Sequence, residues 1–283
     1  MSDGGDGMDR NDPDDREYVQ SLVRGLEVIR AFGRLKPRMT LSEVAQQTDM
    51  TRAAARRFLL TLVREGYAET DGKYFSLCSK ILDLGFAYLG SNRIAETAQP
   101  VMRDVVARTR ESCSAAVLDG DDIVYVTRVS SARVLAIGLS VGSRLPAFCT
   151  AMGRVLVAGL PADERAAFVA RTPVRPLTPF SVGDRAALAD AVGTAHRQGW
   201  AAVDQELEEG LRSIAVPIRD AGGQVVAAMN VSTHAGRTSM GELRDAMLPI
   251  LLDASARIGA GLRGPEGAPA TGRRAVRADA QEA

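Results

Sequence analysis

Three arginines, Arg52, Arg56 and Arg57, follow Thr51 in the run TRAAARRFLLTLVREGY. Wound as a helix, this run places Ala55, Phe58, Leu59 and Leu62 on one face. Ala53, Arg56 and Arg57 fall opposite, with Arg52 at the edge. An anchored apolar face behind a guanidinium face is what a recognition helix needs in a major groove. Guanidinium forks match guanine edges and phosphate oxygens, and small Ala53 permits close approach. Thr51 and the first-turn amides can meet a phosphate. Thr40, at the start of the preceding element, and Lys73, beside Tyr74 in a later turn, complete the candidate contacts to double-stranded DNA. Taken alone, three arginines on a helix read equally well as a solvated face.

A second feature is the run LPAFCTAMGRVLVA over 145–158. Small residues, Ala147, Cys149, Thr150, Ala151 and Gly153, precede a helix whose first-turn amides would be unpaired. Such a start suits an anionic group such as a carboxylate, and small side chains leave room beside the backbone. The competing reading is a helix start packed tightly on a sheet. A third cluster, VDQELEEGLRS over 203–213, stands between two apolar strands. Its acids can orient hydroxyls or simply form a solvated loop, and Ser213 can line the same space as the small-residue run.

Catalytic chemistry finds no such footing. Cys149 with His196 or His234 imitates a cysteine hydrolase, but no positioned base can be named. Three cysteines without a CxxC spacing and two histidines nearly exclude a metal centre, and no phosphate loop is visible. Neither catalytic residues, metal nor cofactor is expected.

The elements that must hold these residues are legible in the apolar spacing. Val19 to Phe32 has helical periodicity and is stopped by Gly33 and Pro37. Thr40 with Glu43 forms a capping-box pair for a short helix over 41–47. Thr51 caps the arginine helix to about Glu65, and Gly66 fits the position beyond its end. The following GYAETDGKYFSL reads as two strands around Asp71-Gly72. Helix, helix, turn, helix, hairpin is the order of a winged helix-turn-helix. A helix over 96–110 follows, then strands over 113–118, 123–129 and 134–139. Helices over 150–160, 162–170 and 184–198, strands over 200–204, 213–219 and 225–232, and a closing helix over 240–262 complete the order. Hairpins mixed with helices indicate an α+β class.

Charge and composition agree with this division. The 283 residues are 46% hydrophobic and 25% charged, with a formal net charge of +0, which excludes disorder throughout. That balance conceals an acidic start over 1–18 and a basic segment over 19–80. No apolar run is long enough for a membrane span and no leader is visible, so a cytoplasmic protein is expected. The expected boundaries are a disordered acidic tail over 1–17 and a DNA-binding domain over 18–80. A linker helix over 81–93, an effector domain over 94–263 and a disordered tail over 264–283 follow.

From Val19 to about Leu262 the chain resembles the IclR family of bacterial transcription regulators. Within it, the chain is similar to the group controlling protocatechuate and 4-hydroxybenzoate catabolism. The resemblance is carried by SLVRGLEVIRAF, MTLSEVAQQTDMTRAAARRFLLTLVREGY, AVLDGDDIVYVTRV, RLPAFCTAMGRVLVA, DQELEEGLRSIAVPIRD and VVAAMNVSTHA. It implies a GAF-like effector domain with a curved antiparallel sheet flanked by helices, and dimers, often paired into tetramers. It also implies pocket contacts at Ala151 and Met152, with Thr150 and Gly153 adjacent, and at Ser213. Asp204, Glu206 and Asn230 are added from their neighbourhood. The expected function is operator binding switched by a small aromatic acid or a dicarboxylate such as β-ketoadipate. Alternatives are a regulator of another pathway, a thiol trigger at Cys149 or Cys113, and an enzyme with an accessory winged helix.

Overall fold

The structure is a computed structural model that describes residues 18–33, 36–85, 93–131 and 139–263. It divides into two compact units, Met1–Gly90 and Ser91–Ala283. The expected terminal tails, most of the linker helix and nearly all of the expected strand over 134–139 lie outside the described residues. Among the described residues, no helix is long and apolar enough to cross a membrane.

The first unit holds α1 (Gln20–Ala31), β1 (Arg38–Thr40), α2 (Leu41–Gln47), α3 (Arg52–Arg64), β2 (Ala68–Thr70) and β3 (Tyr74–Leu77). Its strands form an antiparallel sheet in the order β1-β3-β2. The strand β1 was not expected, since three residues are too few to show alternation. The core gathers Val28 of α1, Met39 of β1, Val44 of α2, Ala55 and Leu59 of α3 and Phe75 of β3. At the wing tip, Asp71 Oδ1 accepts from the amides of Lys73 at 2.9 Å and Tyr74 at 2.8 Å. Gly72 between them has φ +94, a region that favours glycine.

The second unit holds α4 (Ile94–Thr109), β4 (Ser112–Asp119), β5 (Asp122–Val129), β6 (Arg144–Pro146), α5 (Ala151–Ala158), α6 (Ala162–Arg171) and α7 (Arg185–Gln198). Then come β7 (Ala201–Asp204), β8 (Leu211–Arg219), β9 (Val225–His234), α8 (Met240–Glu242), a π turn (Leu243–Met247) and α9 (Leu248–Arg263). The strands form one antiparallel sheet in the order β6-β5-β4-β9-β8-β7. Strand alternation divides its side chains between two cores. One face packs Cys113, Ala115, Ile214, Val216, Met229 and Val231 on α4 and α9. The other packs Ala116, Tyr125, Ala215 and Ala228 on α5, α6 and α7. The second face turns polar at one end, where Ser112, Ser114, Ser213, Asn230 and Ser232 replace the apolar positions.

Candidate DNA-binding helix and ligand cavity

The helix α3 begins at Thr51, whose Oγ1 accepts from the Ala54 amide at 3.2 Å. That bond satisfies one orphan donor of the first turn and fixes where the helix starts. Ala55 and Leu59 are fully buried, and Arg52, Ala53, Arg56 and Arg57 are exposed. Among the described residues none of these three arginines has an ion-pair partner, and α3 contains no acid. A guanidinium face without counter-charges is a strong draw for phosphate. Lys73 is exposed at the wing tip, its Nζ 5.1 Å from the centre of the Tyr74 ring. Arg38 stands 5.2 Å from the same ring and holds Asp71.

Thr40 takes the capping role expected of it. Its Oγ1 donates to Glu43 Oε2 at 2.8 Å and accepts from the Glu43 amide at 3.4 Å. The Thr40 amide and hydroxyl hold the Glu43 carboxyl below the usual carboxylate range. With donor and acceptor both engaged, Thr40 is a capping residue of α2.

The second unit has a cavity of about 30 Å³ at the polar end of the sheet. That is enough for one or two waters, so a ring-sized ligand has to widen it. Its floor is sheet: Tyr125 and Arg128 of β5, Ser213 of β8, and Asn230 and Ser232 of β9. Its opposite wall is the start of α5, with Cys149, Thr150, Ala151 and Met152. Leu139, Val203, Leu207 and Leu211 close the sides. Two separate hydrogen-bonded groups hold the floor. Arg128 Nη1 donates to Ser114 Oγ at 3.0 Å, and Asn230 Nδ2 donates to Ser213 Oγ at 2.8 Å and Ser232 Oγ at 2.9 Å. Asn230 Oδ1 is enclosed with no hydrogen-bond partner. No described carboxylate pairs with Arg128.

Thr150, Ala151, Met152, Ser213 and Asn230 therefore meet at one cavity, but three other expected contacts do not. Gly153 lies inside the fold: a Cβ there would stand 2.1 Å from the Ala147 carbonyl oxygen, so only glycine allows the turn before α5 to press on the helix. Glu206 is buried against Arg154 in a bidentate pair at 2.7 and 2.5 Å. Asp204 is held by Arg212 Nε at 2.7 Å and Nη2 at 3.1 Å. Neither acid lines the cavity, because each serves an arginine that ties the loop after β7 to its neighbours. Arg154 also donates to the Phe148 carbonyl, so that pair joins the wall at α5 to the loop carrying Leu207.

Arg128 is the residue that sequence reading missed. Strict alternation from Tyr125 sends Arg128 to the opposite face. A bulge restores it: adjacent Ala115 and Ala116 pair with Thr127 and Tyr125, leaving Val126 as the extra residue. Ser114 then pairs Arg128 on the Tyr125 face. The signal available was an arginine within an apolar strand, VYVTRV.

The thiols are poorly suited to act as triggers. Burial pushes Cys113 up to about 12. Burial, reinforced by the Glu206 charge, pushes Cys149 up to about 12 as well. A neutral buried thiol is unreactive. Burial likewise raises Tyr125 to about 12, against the pull of the Arg128 charge.

A winged helix-turn-helix joined to a domain with an arginine-bearing cavity defines a ligand-responsive DNA-binding regulator. The chain matches the IclR helix-turn-helix domain over residues 21–72 and the bacterial transcriptional regulator IclR C-terminal domain over residues 86–260. It belongs to the IclR family of bacterial transcriptional regulators. It is 46% identical over 242 residues to the Pca regulon regulatory protein of Pseudomonas putida, covering 85% of this chain and 83% of that one. A solved transcriptional regulator from Rhodococcus sp. RHA1 superposes with TM-score 0.78 at 46% identity, covering 87% of this chain and 98% of its own. An IclR homolog from Microbacterium hydrocarbonoxydans, solved with 4-hydroxybenzoate, gives TM-score 0.78 at 25% identity, with coverage of 87% and 100%.

Proposed function

We propose that this chain regulates genes of aromatic-acid catabolism in the cytoplasm, and that a small carboxylate effector bound in the cavity switches its hold on operator DNA. The observation that carries this reading is Arg128, a guanidinium inside a small apolar-walled cavity with no carboxylate partner among the described residues. A cation so placed favours an anionic ligand. The names of two relatives, a Pca regulon regulator and a homolog holding 4-hydroxybenzoate, support aromatic acids as the class.

Arg52, Arg56 and Arg57 read one half-site, with Thr51, Ala53 and Lys73 at the backbone. A second copy reads the other half of a pseudo-palindrome. Leu22 at 63% exposure and Leu26 at 40% leave an apolar stripe on α1 that supports dimers through the first unit, with tetramers as the next assembly. The effector acts by binding one spacing of the paired helices better than the other, so its differential affinity sets the size of the switch.

The test is calorimetry and operator anisotropy on the full chain with protocatechuate, 4-hydroxybenzoate and β-ketoadipate. Heat from at least one acid, and a shift of operator affinity by that same acid, is the expected result. Arg128→Gln then loses the heat while keeping operator affinity. Silence from all three acids overturns the assignment.

A further inference from the structure

We propose that residues 1–17 occupy the guanidinium face of α3 in the DNA-free protein, so that a duplex has to displace this chain's own acidic segment before it binds. The proposal rests on the reading of α3 as the DNA-binding helix. Residues 1–17 hold six aspartates, Glu17 and two arginines, a formal charge of −5. Besides Pro13, the apolar side chains there are Met1 and Met8, so charge is what the segment offers a partner. The sequence that follows carries the opposite sign: residues 19–80 hold eleven basic residues and six acids, +5. Three of those acids are engaged away from α3, Glu27 with Arg24, Asp71 with Arg38 and Glu43 at the cap of α2. Arg52, Arg56 and Arg57 are exposed and have no ion-pair partner among the described residues. An acidic segment and an uncompensated cationic face in one unit are complementary.

The fold puts the segment within reach. Tyr18, which follows it, is 55% exposed. Arg24, in the second turn of α1, donates to the Thr48 carbonyl at 3.4 Å, three residues before the cap of α3. Gly25 faces α3 as well: a Cβ there would stand 3.8 Å from Phe58 Cδ1. The first turn of α1 is therefore about 6 Å of helix away from a contact with the entry to α3. The arginines lie on the far side of α3, a helix about 10–12 Å across with its side chains. Seventeen residues span at most roughly 55–60 Å, so the acids nearest Tyr18 reach round the helix start with chain to spare. Each exposed carboxylate–guanidinium pair is weak on its own. Tethering offsets this, because a segment joined by a short linker acts at an effective concentration on the order of millimolar. Every duplex then binds more weakly by one factor, the inverse of the fraction of molecules whose arginine face is free.

The experiment compares the full-length parent with a full-length variant carrying Asp9→Asn, Asp12→Asn, Asp14→Asn, Asp15→Asn and Glu17→Gln. Operator anisotropy should show the variant binding at least about threefold tighter at about 50 mM salt, and within about twofold of the parent at about 500 mM, where charges are screened over a few ångströms. Phenylglyoxal labelling without DNA, read by mass spectrometry, should run at least about twofold faster at Arg52, Arg56 and Arg57 in the variant, with exposed Arg185 of the second unit unchanged. Equal operator affinity at low salt overturns the proposal. Tighter binding with unchanged labelling overturns it too, because the segment then repels DNA at a distance without covering α3. Faster labelling at Arg185 also counts against it, since the change is then not confined to α3. Operator added to the variant should protect the same three arginines. If it does not, the reading of α3 as the DNA-binding helix fails, whatever the segment does.

Discussion

The recognition helix and the ligand cavity both depend on arginine, and they keep it in opposite states. On α3, Arg52, Arg56 and Arg57 face solvent and have no ion-pair partner among the described residues. In the second unit, Arg154 is sealed in with Glu206 behind the wall of the cavity. The first arrangement costs little in folding and is available for binding. The second ties folding to the site, because a buried charge is tolerated only while its partner remains. The same side chain is thus a ligand-seeking group in one place and a structural tie in the other, and mutation should separate the two.

The largest effect is expected at Arg154. Arg154→Ala strands Glu206 in the interior and should destabilise the second unit by about 3–5 kcal/mol. The single tryptophan, Trp200, packs against the core of that unit, so urea denaturation followed by its fluorescence reports on the relevant fold. Replacing both partners, Arg154→Met with Glu206→Leu, should restore most of the stability, since an apolar pair of similar volume has no desolvation penalty. An unchanged midpoint in Arg154→Ala would mean that water reaches Glu206 and that the pair is no structural tie.

Arg56→Ala should do the reverse. Operator affinity falls by about 1–3 kcal/mol if the side chain reads a base, and the loss is concentrated on the cognate site. The Trp200 transition and the calorimetric response to effector stay as in the parent. A loss uniform across DNA sequences, with a shallower salt dependence, reassigns Arg56 to phosphate.

The difference between the two sites also decides how much could be read in the chain. The recognition helix is local: cap, apolar stripe and arginine face lie within Thr51–Arg64, and one helical period orders them all. The wing was legible for the same reason, through Asp71-Gly72. The helix start at Thr150–Met152 was also legible, because small residues before an apolar helix are contiguous. The cavity floor was not. It is assembled from β4, β5, β8 and β9, and its registers depend on a bulge at Val126 that no composition signals. Asp204 and Glu206 misled because charge in a loop is visible in sequence, whereas the arginines that neutralise it, Arg212 and Arg154, lie 8 and 52 residues away.

A smaller effect should appear at the start of α3. Thr51→Ala removes the acceptor for the Ala54 amide and should destabilise the first unit by about 1 kcal/mol, with Thr51→Asn restoring it. Circular dichroism should show the shift while Trp200 does not move. If Thr51→Asn restores stability but not operator affinity, the hydroxyl itself meets DNA.

The smallest effect is expected at the thiols, where an alternative trigger would have to act. Cys113 and Cys149 are buried and Cys78 is half-buried, so a thiol reagent at neutral pH should label Cys78 first and the others only as the protein unfolds. Burial raises Cys149 to about 12, so the folded chain holds its proton where an unfolded chain, near 8.5, would release it. The corresponding stability is present below the unfolded value and is lost as pH rises from there towards about 12. Peroxide at neutral pH should therefore leave operator affinity within about twofold, because the thiolate is the reactive form and almost none exists. A sulfenic acid found on Cys149 in native protein, together with a lost operator complex, would make the cavity wall a redox switch and set it apart from α3 in a different way.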